Sequence, residues 1–423
     1  MHNFFENFPI STEKDWVEVI TKSLKGASID QVLNQTNEIE EINFYSYYHP
    51  SKYAESTQIA KNQITSLTSN KFELVNQLPL GEAKFRNSYA LKLLMQGVTS
   101  LRIDLENHSL EDCSIIIENI LFEHIYCTFY CHNIEQLQWA KKLLNNDNKQ
   151  RIFIIQSELT KLSDISHILI DGMNVSQCGA NCMQEIAYLL HEGHIALVKL
   201  INQGMNIDQA ASLLKFKIGI GSNFIFEIAK IRTFRYLWYT IVKKYNPIHT
   251  CSTIPFIEAE SLLINKSLKD PFSNLLRLTT EGLSAVIGGV NELCMNPYDW
   301  GATNPALNNT QRISNNIALI LKEESYLEMV IDPMGGSYAV EEISNSLLAK
   351  SWALFQEIEK NGIELLSKKV AKTCNTRKEL FSNGETNLIG INKYQVKSDF
   401  NYKWLPPVKM KFGYSLILER DVC

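Results

Sequence analysis

Several sets of side chains in this 423-residue chain have types and spacings that chemistry could use. Glu258 and Glu260 stand two apart in Ile254-Pro-Phe-Ile-Glu-Ala-Glu-Ser261. On a strand, positions i and i+2 face the same side, so the two carboxylates could converge for acid–base work. No partner base or metal ligand accompanies them, and a solvated or salt-bridged pair is the better reading. His191-Glu-Gly-His194 places two imidazoles three apart on a helix. Zinc asks for more ligands, and the sequence names no third, so a surface or interface pair is expected. Cys127/Cys131 and Cys178/Cys182 are each four apart, and free buried thiols are the expectation. Gly219-x-Gly221-Ser222 lacks the third glycine and the downstream acid of a dinucleotide fingerprint. It reads as a tight turn from strand to helix.

Composition narrows the classes further. Apolar residues make up 45% of the chain, enough to fill a sizeable core. The net charge of -5 argues against nucleic acid or an anionic membrane as the main partner. The start, MHNFFENFPIS, has no basic region followed by an apolar stretch, so no signal peptide is expected. No apolar run reaches the roughly 18–20 residues of a membrane span. Nine scattered cysteines, an odd number, fit reduced thiols in a cytoplasm.

The elements that must position these residues alternate. Strand patterns fall at 101–105, 125–130, 152–155, 168–171, 216–220, 250–254, 291–295 and 330–331, alternating with helical patterns except for a short connection after 152–155. Eight strand–helix units are the count of a (β/α)8 barrel, an α/β fold whose chemistry sits on the loops after the strands. Residues 1–40 read as an N-terminal arm, 41–362 as the TIM-barrel domain and 363–423 as a C-terminal extension packing on the barrel or a partner. In the arm, Thr12 or Ser11 caps a helix whose face carries Trp16, Val19 and Ile20. Phe4, Phe5 and Phe8 precede Pro9, and Phe4 and Phe5 lie outside any periodic element and expose apolar area unless covered. With Trp16, they are the candidate partner interface.

Order and spacing along roughly 5–394 carry a resemblance. The carriers are Phe8-Pro9 with Trp16 and Leu24-Lys-Gly26; Gln96-Gly-Val-Thr-Ser-Leu101; Ile168-Leu-Ile-Asp-Gly172; and Glu227-Ile-Ala-Lys-Ile-Arg232 with Arg235 and Leu237-Trp238. They continue with Asp270-Pro-Phe-x-Asn274-x-x-Arg277, Gly288-Gly289, Asp332-Pro-Met-Gly-Gly-Ser-Tyr338 and Gly390-Ile-Asn-Lys-Tyr394. Together they resemble the methylmalonyl-CoA mutase family of cobalamin-dependent acyl-CoA mutases. That family rearranges an acyl thioester by radicals released from adenosylcobalamin. The resemblance also implies that the arm wraps a partner subunit.

The resemblance is to the frame and not to the reacting groups. Where the family's catalytic chains carry a Tyr-His pair facing substrate, this chain has Met173 and Asn174. Where they carry a later His-x-Gln, it has Glu258-Ala-Glu260. Carboxylates cannot donate to a developing carbonyl oxygen. The helix segment Arg312-Ile-Ser-Asn-Asn-Ile-Ala318 has also lost polar groups. The last histidine is His249, so the family's cobalt-ligating His loop has no counterpart, and residues 395–423 are too few for a cobalamin domain. The expectation is a small, catalytically degenerate subunit that binds no cofactor itself. A large mutase subunit would be its heterodimer partner and carry adenosylcobalamin. The alternatives are a substrate-binding subunit using a separate cobalamin chain, and an orphan barrel with unrelated binding.

Overall fold

The computed structural model describes residues 12–24, 26, 28–29, 33–49, 69–145, 147–148, 150–156, 167–303, 307–395, 397 and 402–422. The chain opens with α1 (Glu13–Ser23), capped by a reciprocal Thr12–Asp15 pair, and the hairpin β1 (Asn34–Asn37) and β2 (Ile42–Tyr45). None of the α1 residues is buried. Trp16 instead stacks on Tyr47, ring centroids 3.9 Å apart. Phe4, Phe5 and Phe8 lie outside the described residues.

The barrel strands are β3 (Glu73–Gln77), β4 (Ser100–Asp104), β5 (Tyr126–Cys131), β6 (Ile152–Gln156), β7 (Ile168–Asp171), β8 (Leu214–Ile220), β9 (Phe256–Ser261) and β10 (Glu292–Cys294). They form one parallel sheet in the order β6-β5-β4-β3-β10-β9-β8-β7. A parallel bridge between Ile155 and His167 joins the two ends, which makes the α/β fold a TIM barrel. The helices that matter for the site are α2 (Ala83–Met95), α3 (Leu110–Ile116), α4 (Ile134–Lys142), α5 (Met173–Ser176), α6 (Cys182–Asn202), α7 (Ile207–Ser212), α8 (Phe224–Lys243), α9 (Ser273–Gly288), α10 (Leu307–Leu319), α11 (Tyr338–Asn361) and α12 (Glu364–Ser382). The tail adds β11 (Lys409–Met410), β12 (Gly413–Tyr414) and α13 (Leu418–Val422). No helix among the described residues is long and apolar enough to cross a membrane.

Strand alternation sorts the side chains. Leu101, Phe129, Ile154, Phe216 and Ile257 point outward and are buried in the apolar layer beneath the helices. Their neighbours point inward, and many of them are polar. That explains where the strand pattern misleads. Glu73–Gln77 is a barrel strand with Glu73 and Gln77 in it, so it does not look apolar. Val330-Ile331 looks like a strand but follows a single 3-10 turn and is exposed at Val330. Thr250–Thr253 is likewise a 3-10 turn, and the strand begins only at Phe256. The count of eight holds because β3 replaces the expected last strand.

Two sequence motifs meet at a clamp. Arg232 on α8, buried, donates from Nε to Asp332 at 2.8 Å and from Nη2 to Glu341 at 2.6 Å. The Asp332-Pro-Met-Gly-Gly segment thereby ties α11 to α8. A second pair meets at Gly390, where a side chain would come within 2.8 Å of the Asp270 carboxylate. Arg277 of the same motif donates to Ile389 O at 2.7 Å. Breaking a buried ion pair from one side costs about 3–5 kcal/mol. Asp332→Ala is therefore expected to lower the unfolding free energy by about 3 kcal/mol in urea titration. A loss below about 0.5 kcal/mol, the scale of an ordinary surface change, would show that the clamp does not hold α11.

Candidate functional site

The inward side chains fill the barrel axis with paired charges. Arg102 on β4 lies 3.2 Å from Glu258 and 2.8 Å from Glu260, both on β9. Lys215 on β8 lies 2.8 Å from Glu258 and also pairs with Glu292 on β10. Lys217, two residues further along β8, holds Glu260 at 2.8 Å. Ser100 donates to Glu292 at 2.7 Å, Lys215 to Thr128 at 3.1 Å and Asn296 to Glu260 at 3.1 Å. Three cations meet three carboxylates, and Glu258, Lys215 and Glu292 have no exposed surface. Sequence reading left Glu258 and Glu260 as a solvated or salt-bridged pair; they are salt-bridged and enclosed.

Burial alone would raise a carboxylate's pKa. For Glu258 the charges of Arg102, Lys215 and Lys217 overcome it and hold the group down at about 2. Burial and then Lys217 and Arg102 act on Glu260, with the same outcome, well below the ordinary range. Glu292 must share Lys215 with Glu258, and its burial pushes it up. Burial would lower the lysines, but their carboxylates hold Lys215 and Lys217 above the ordinary range. The ammonium groups are held charged by the carboxylates they face. The lattice is suited to holding strands.

Both ends of the axis are occupied. At the strands' N-terminal end, Phe153 and Phe256 stand 4.8 Å apart, with Lys215 Nζ 4.8 Å from the Phe153 ring centre. At the C-terminal end, Met173 packs with Leu262, Phe381, Leu388, Leu416 and Leu418. Asn174 donates to Asp171 O at 3.2 Å within its own loop. Gly172 is required there, because a side chain would meet Lys217 O at 2.7 Å. The tail lies across this mouth. Leu416 N–H donates to Gln177 O, and Gln177 Nε2 donates back to Leu416 O, both at 2.8 Å. Glu419 accepts from the Leu268 and Lys269 N–H groups.

The remaining constellations are structural. His191 and His194 share the Glu359 carboxylate of α11, at 2.6 and 3.3 Å. Cys127, Cys131, Cys178 and Cys182 are buried and in no disulfide. Among the described residues no group of three or more His, Cys, Asp or Glu side chains could hold a metal ion. Gly219-x-Gly221-Ser222 is the turn from β8 to α8, as its spacing predicts. A polar cavity of about 60 Å³ sits beside it, bordered by Glu40, Ser176, Glu185, Glu227 and Lys230. Lys230 pairs there with Glu185 at 2.8 Å and Glu227 at 2.6 Å, which accounts for the Glu227-Ile-Ala-Lys230 motif. Sequence reasoning missed Arg102, Lys215, Lys217 and Glu292. Their signal was present as charged residues two apart, Lys215 and Lys217, within a strand otherwise apolar.

Glu258 titrates lower folded than its ordinary value of 4.5. It therefore contributes stability that is full above that value and is lost as pH falls towards 2. Glu258→Gln leaves Arg102 and Lys215 short of a charge and should cost about 3–5 kcal/mol at neutral pH. The variant should also lose stability less steeply than the parent as acid is added below pH 4.5. Urea unfolding across that window measures both, and identical acid slopes would remove Glu258 as the acid-sensitive group.

The family profile described as Methylmalonyl-CoA mutase matches residues 145–410, more than half of the chain. A methylmalonyl-CoA mutase of Cereibacter sphaeroides is 31% identical over 253 residues, 58% of this chain and 36% of that protein. One from Rhizobium meliloti is 30% identical over 253 residues, with 58% and 35% covered. A methylmalonyl-CoA mutase small subunit of Porphyromonas gingivalis is 29% identical over 398 residues, 85% of this chain and 64% of its own length. The chain thus spans about a third of the first two relatives and under two thirds of the third. With the barrel, the clamped motifs and the profile match in agreement, the chain belongs to the methylmalonyl-CoA mutase family.

Proposed function

We propose that this chain is the small, catalytically degenerate subunit of a two-chain methylmalonyl-CoA mutase. The complex would interconvert methylmalonyl-CoA and succinyl-CoA, with the large subunit holding adenosylcobalamin and the reacting thioester. One observation carries the reading: the barrel axis is filled by the Arg102, Lys215, Lys217, Glu258, Glu260 and Glu292 lattice. Ion pairs along the axis support shielding of the thioester in the partner's barrel and not in this one. The relative named a small subunit, aligned over 85% of this chain, points the same way. The apolar cluster at the mouth, where Met173 packs with Leu416 and Leu418, supports a cobalamin site in the partner and not here. The same packing weighs against a substrate-binding subunit that borrows cobalamin from a separate chain. The partner surface proposed is the arm, whose α1 buries no residue on this barrel.

Two experiments test this. The purified chain should neither bind adenosylcobalamin stoichiometrically nor turn over methylmalonyl-CoA, while co-expression with a large mutase chain should yield one active heterodimer in size exclusion. A cobalamin spectrum on this chain alone would sink the assignment. In the assembled complex, Met173→Tyr with Asn174→His should leave turnover close to the parent, apart from about 1–3 kcal/mol of stability lost to overpacking. A fall of orders of magnitude in an intact complex would put this loop into the chemistry.

Deleting residues 1–26 should weaken pairing more than it weakens the barrel, because Trp16 and the preceding phenylalanines could each bury apolar area worth about 2 kcal/mol. Truncated chain that melts far lower yet pairs with unchanged affinity would make the arm intramolecular.

A further inference from the structure

The polar cavity of about 60 Å³ beside the turn from β8 to α8 is bordered by more negative charge than positive. Its Lys230 ammonium faces Glu185 at 2.8 Å, Glu227 at 2.6 Å and Gly219 O at 2.5 Å, so one charge answers two carboxylates. Glu40 is a third carboxylate, brought in by the turn between β1 and β2. Its Oε2 accepts the Cys182 N–H at 2.8 Å. Arg377 on α12 spends Nε and Nη2 on Gly179 O and Ala180 O, at 2.8 and 2.9 Å, and its charge offsets that of Glu40. Three carboxylates thus border the cavity against two cations.

Two buried oxygens on the cavity wall lack a hydrogen bond. Ser176 Oγ, on a residue 2% exposed, has no hydrogen-bond partner among the described residues. Glu227 Oε2 meets the Lys230 ammonium outside hydrogen-bond geometry and has no hydrogen-bond partner among them either. Buried polar atoms left in this way are costly unless something binds them. Burial, with the charge of Glu227 added, pushes Glu40 and Glu185 up, the direction of carboxylates short of a countercharge. About 10–15 Å³ holds one water, so the cavity has room for a small ion that keeps some of its water. Among the described residues no three acidic side chains converge as a divalent ion would require. A single positive charge is what the balance and the unpartnered oxygens call for.

We infer that this cavity binds one monovalent cation of the potassium or ammonium kind, held by Ser176 Oγ, Glu227 Oε2 and the Glu40 carboxylate. The ion fastens the β1–β2 turn to α5 and α8 at the C-terminal ends of the strands. The inference stands apart from the proposed subunit role, since the site uses no residue of the charged axis and none of a partner.

The test is urea unfolding of the full-length chain near neutral pH in potassium, ammonium or tetramethylammonium chloride. One chloride concentration keeps screening equal, and tetramethylammonium carries the charge but is too large for the cavity. At ten times its dissociation constant, potassium or ammonium should raise the folding equilibrium constant about ten-fold over tetramethylammonium. The ion that saturates at the lower concentration is the one the site prefers. Ser176→Ala should weaken that ion's effect about ten-fold, the scale of one contact to a charge, while stability in tetramethylammonium stays level or rises. A hydroxyl that binds nothing would leave the difference between salts intact. Glu40→Gln removes the surplus charge and should weaken the effect at least as much. Should Glu40→Gln fail to fold, Ser176→Ala and equilibrium dialysis with rubidium decide. Rubidium should bind saturably at one ion per chain, be displaced by potassium and bind more weakly to Ser176→Ala. Equal stability in the three salts, which would mean that water alone fills the cavity, overturns the inference. So does a salt effect indifferent to Ser176→Ala, or the absence of stoichiometric rubidium binding.

Discussion

Six charges buried along one axis set the terms for the rest of this structure. Arg102, Lys215 and Lys217 cannot sit inside a barrel without Glu258, Glu260 and Glu292, because an unpaired charge taken out of water costs several kcal/mol. The pairing runs between β4, β8, β9 and β10, so each strand must hold its register against the others. A slip of one residue in β8 would turn Lys215 and Lys217 into the apolar layer and Phe216 and Ile218 onto the axis. Replacing such a lattice by apolar side chains can be neutral for stability. What the lattice supplies is a single allowed register, at the expense of any space along the axis.

The motifs shared with the family stand apart from that axis. Arg232–Asp332–Glu341, Asp270 against Gly390, and Glu185–Lys230–Glu227 all lie between the barrel and its outer helices or loops. The two ionic sets are buried or nearly so, and their loss would cost stability whatever the barrel does. Met173, Asn174, Glu258 and Glu260 face the axis or its mouth. In this structure those positions are held by packing and pairing. Met173 is accordingly in an apolar cluster and Glu258 is between two cations.

The fold was largely legible because outward positions follow simple alternation. Leu101 and Ile103, or Ile168 and Ile170, are apolar every second residue and lie under helices. Legibility failed where the inward face is polar. β3 reads Glu-Leu-Val-Asn-Gln, and only the closed barrel shows that its polar residues face an ionic interior and α10, where Asn76 accepts from Asn315. Val330-Ile331 failed for the opposite reason, since two β-branched residues on the surface carry a strand's composition without its neighbours. For the site, the sequence identified Glu258 and Glu260 but not the three cations they hold, because partners 43 to 158 residues away leave no local pattern. The tail's place over Gln177 was also invisible, as its contacts are mostly backbone groups.

The lid is the last consequence. Loops after barrel strands usually move to admit a substrate, and that motion requires weak contacts. Here the loop after β7 is tied to the tail through Gln177, the loop after β9 through Leu418 to Ile264 O at 3.0 Å, and the loop after β10 through Leu405 to Gly301 O at 2.7 Å. Gln177 also accepts the Leu263 N–H at 3.0 Å, joining two of these loops directly. Opening the mouth would break these bonds together, at about 1 kcal/mol for each, and would expose the apolar cluster around Leu416. A mouth tied at three loops, above an axis closed by ion pairs, is built to remain shut.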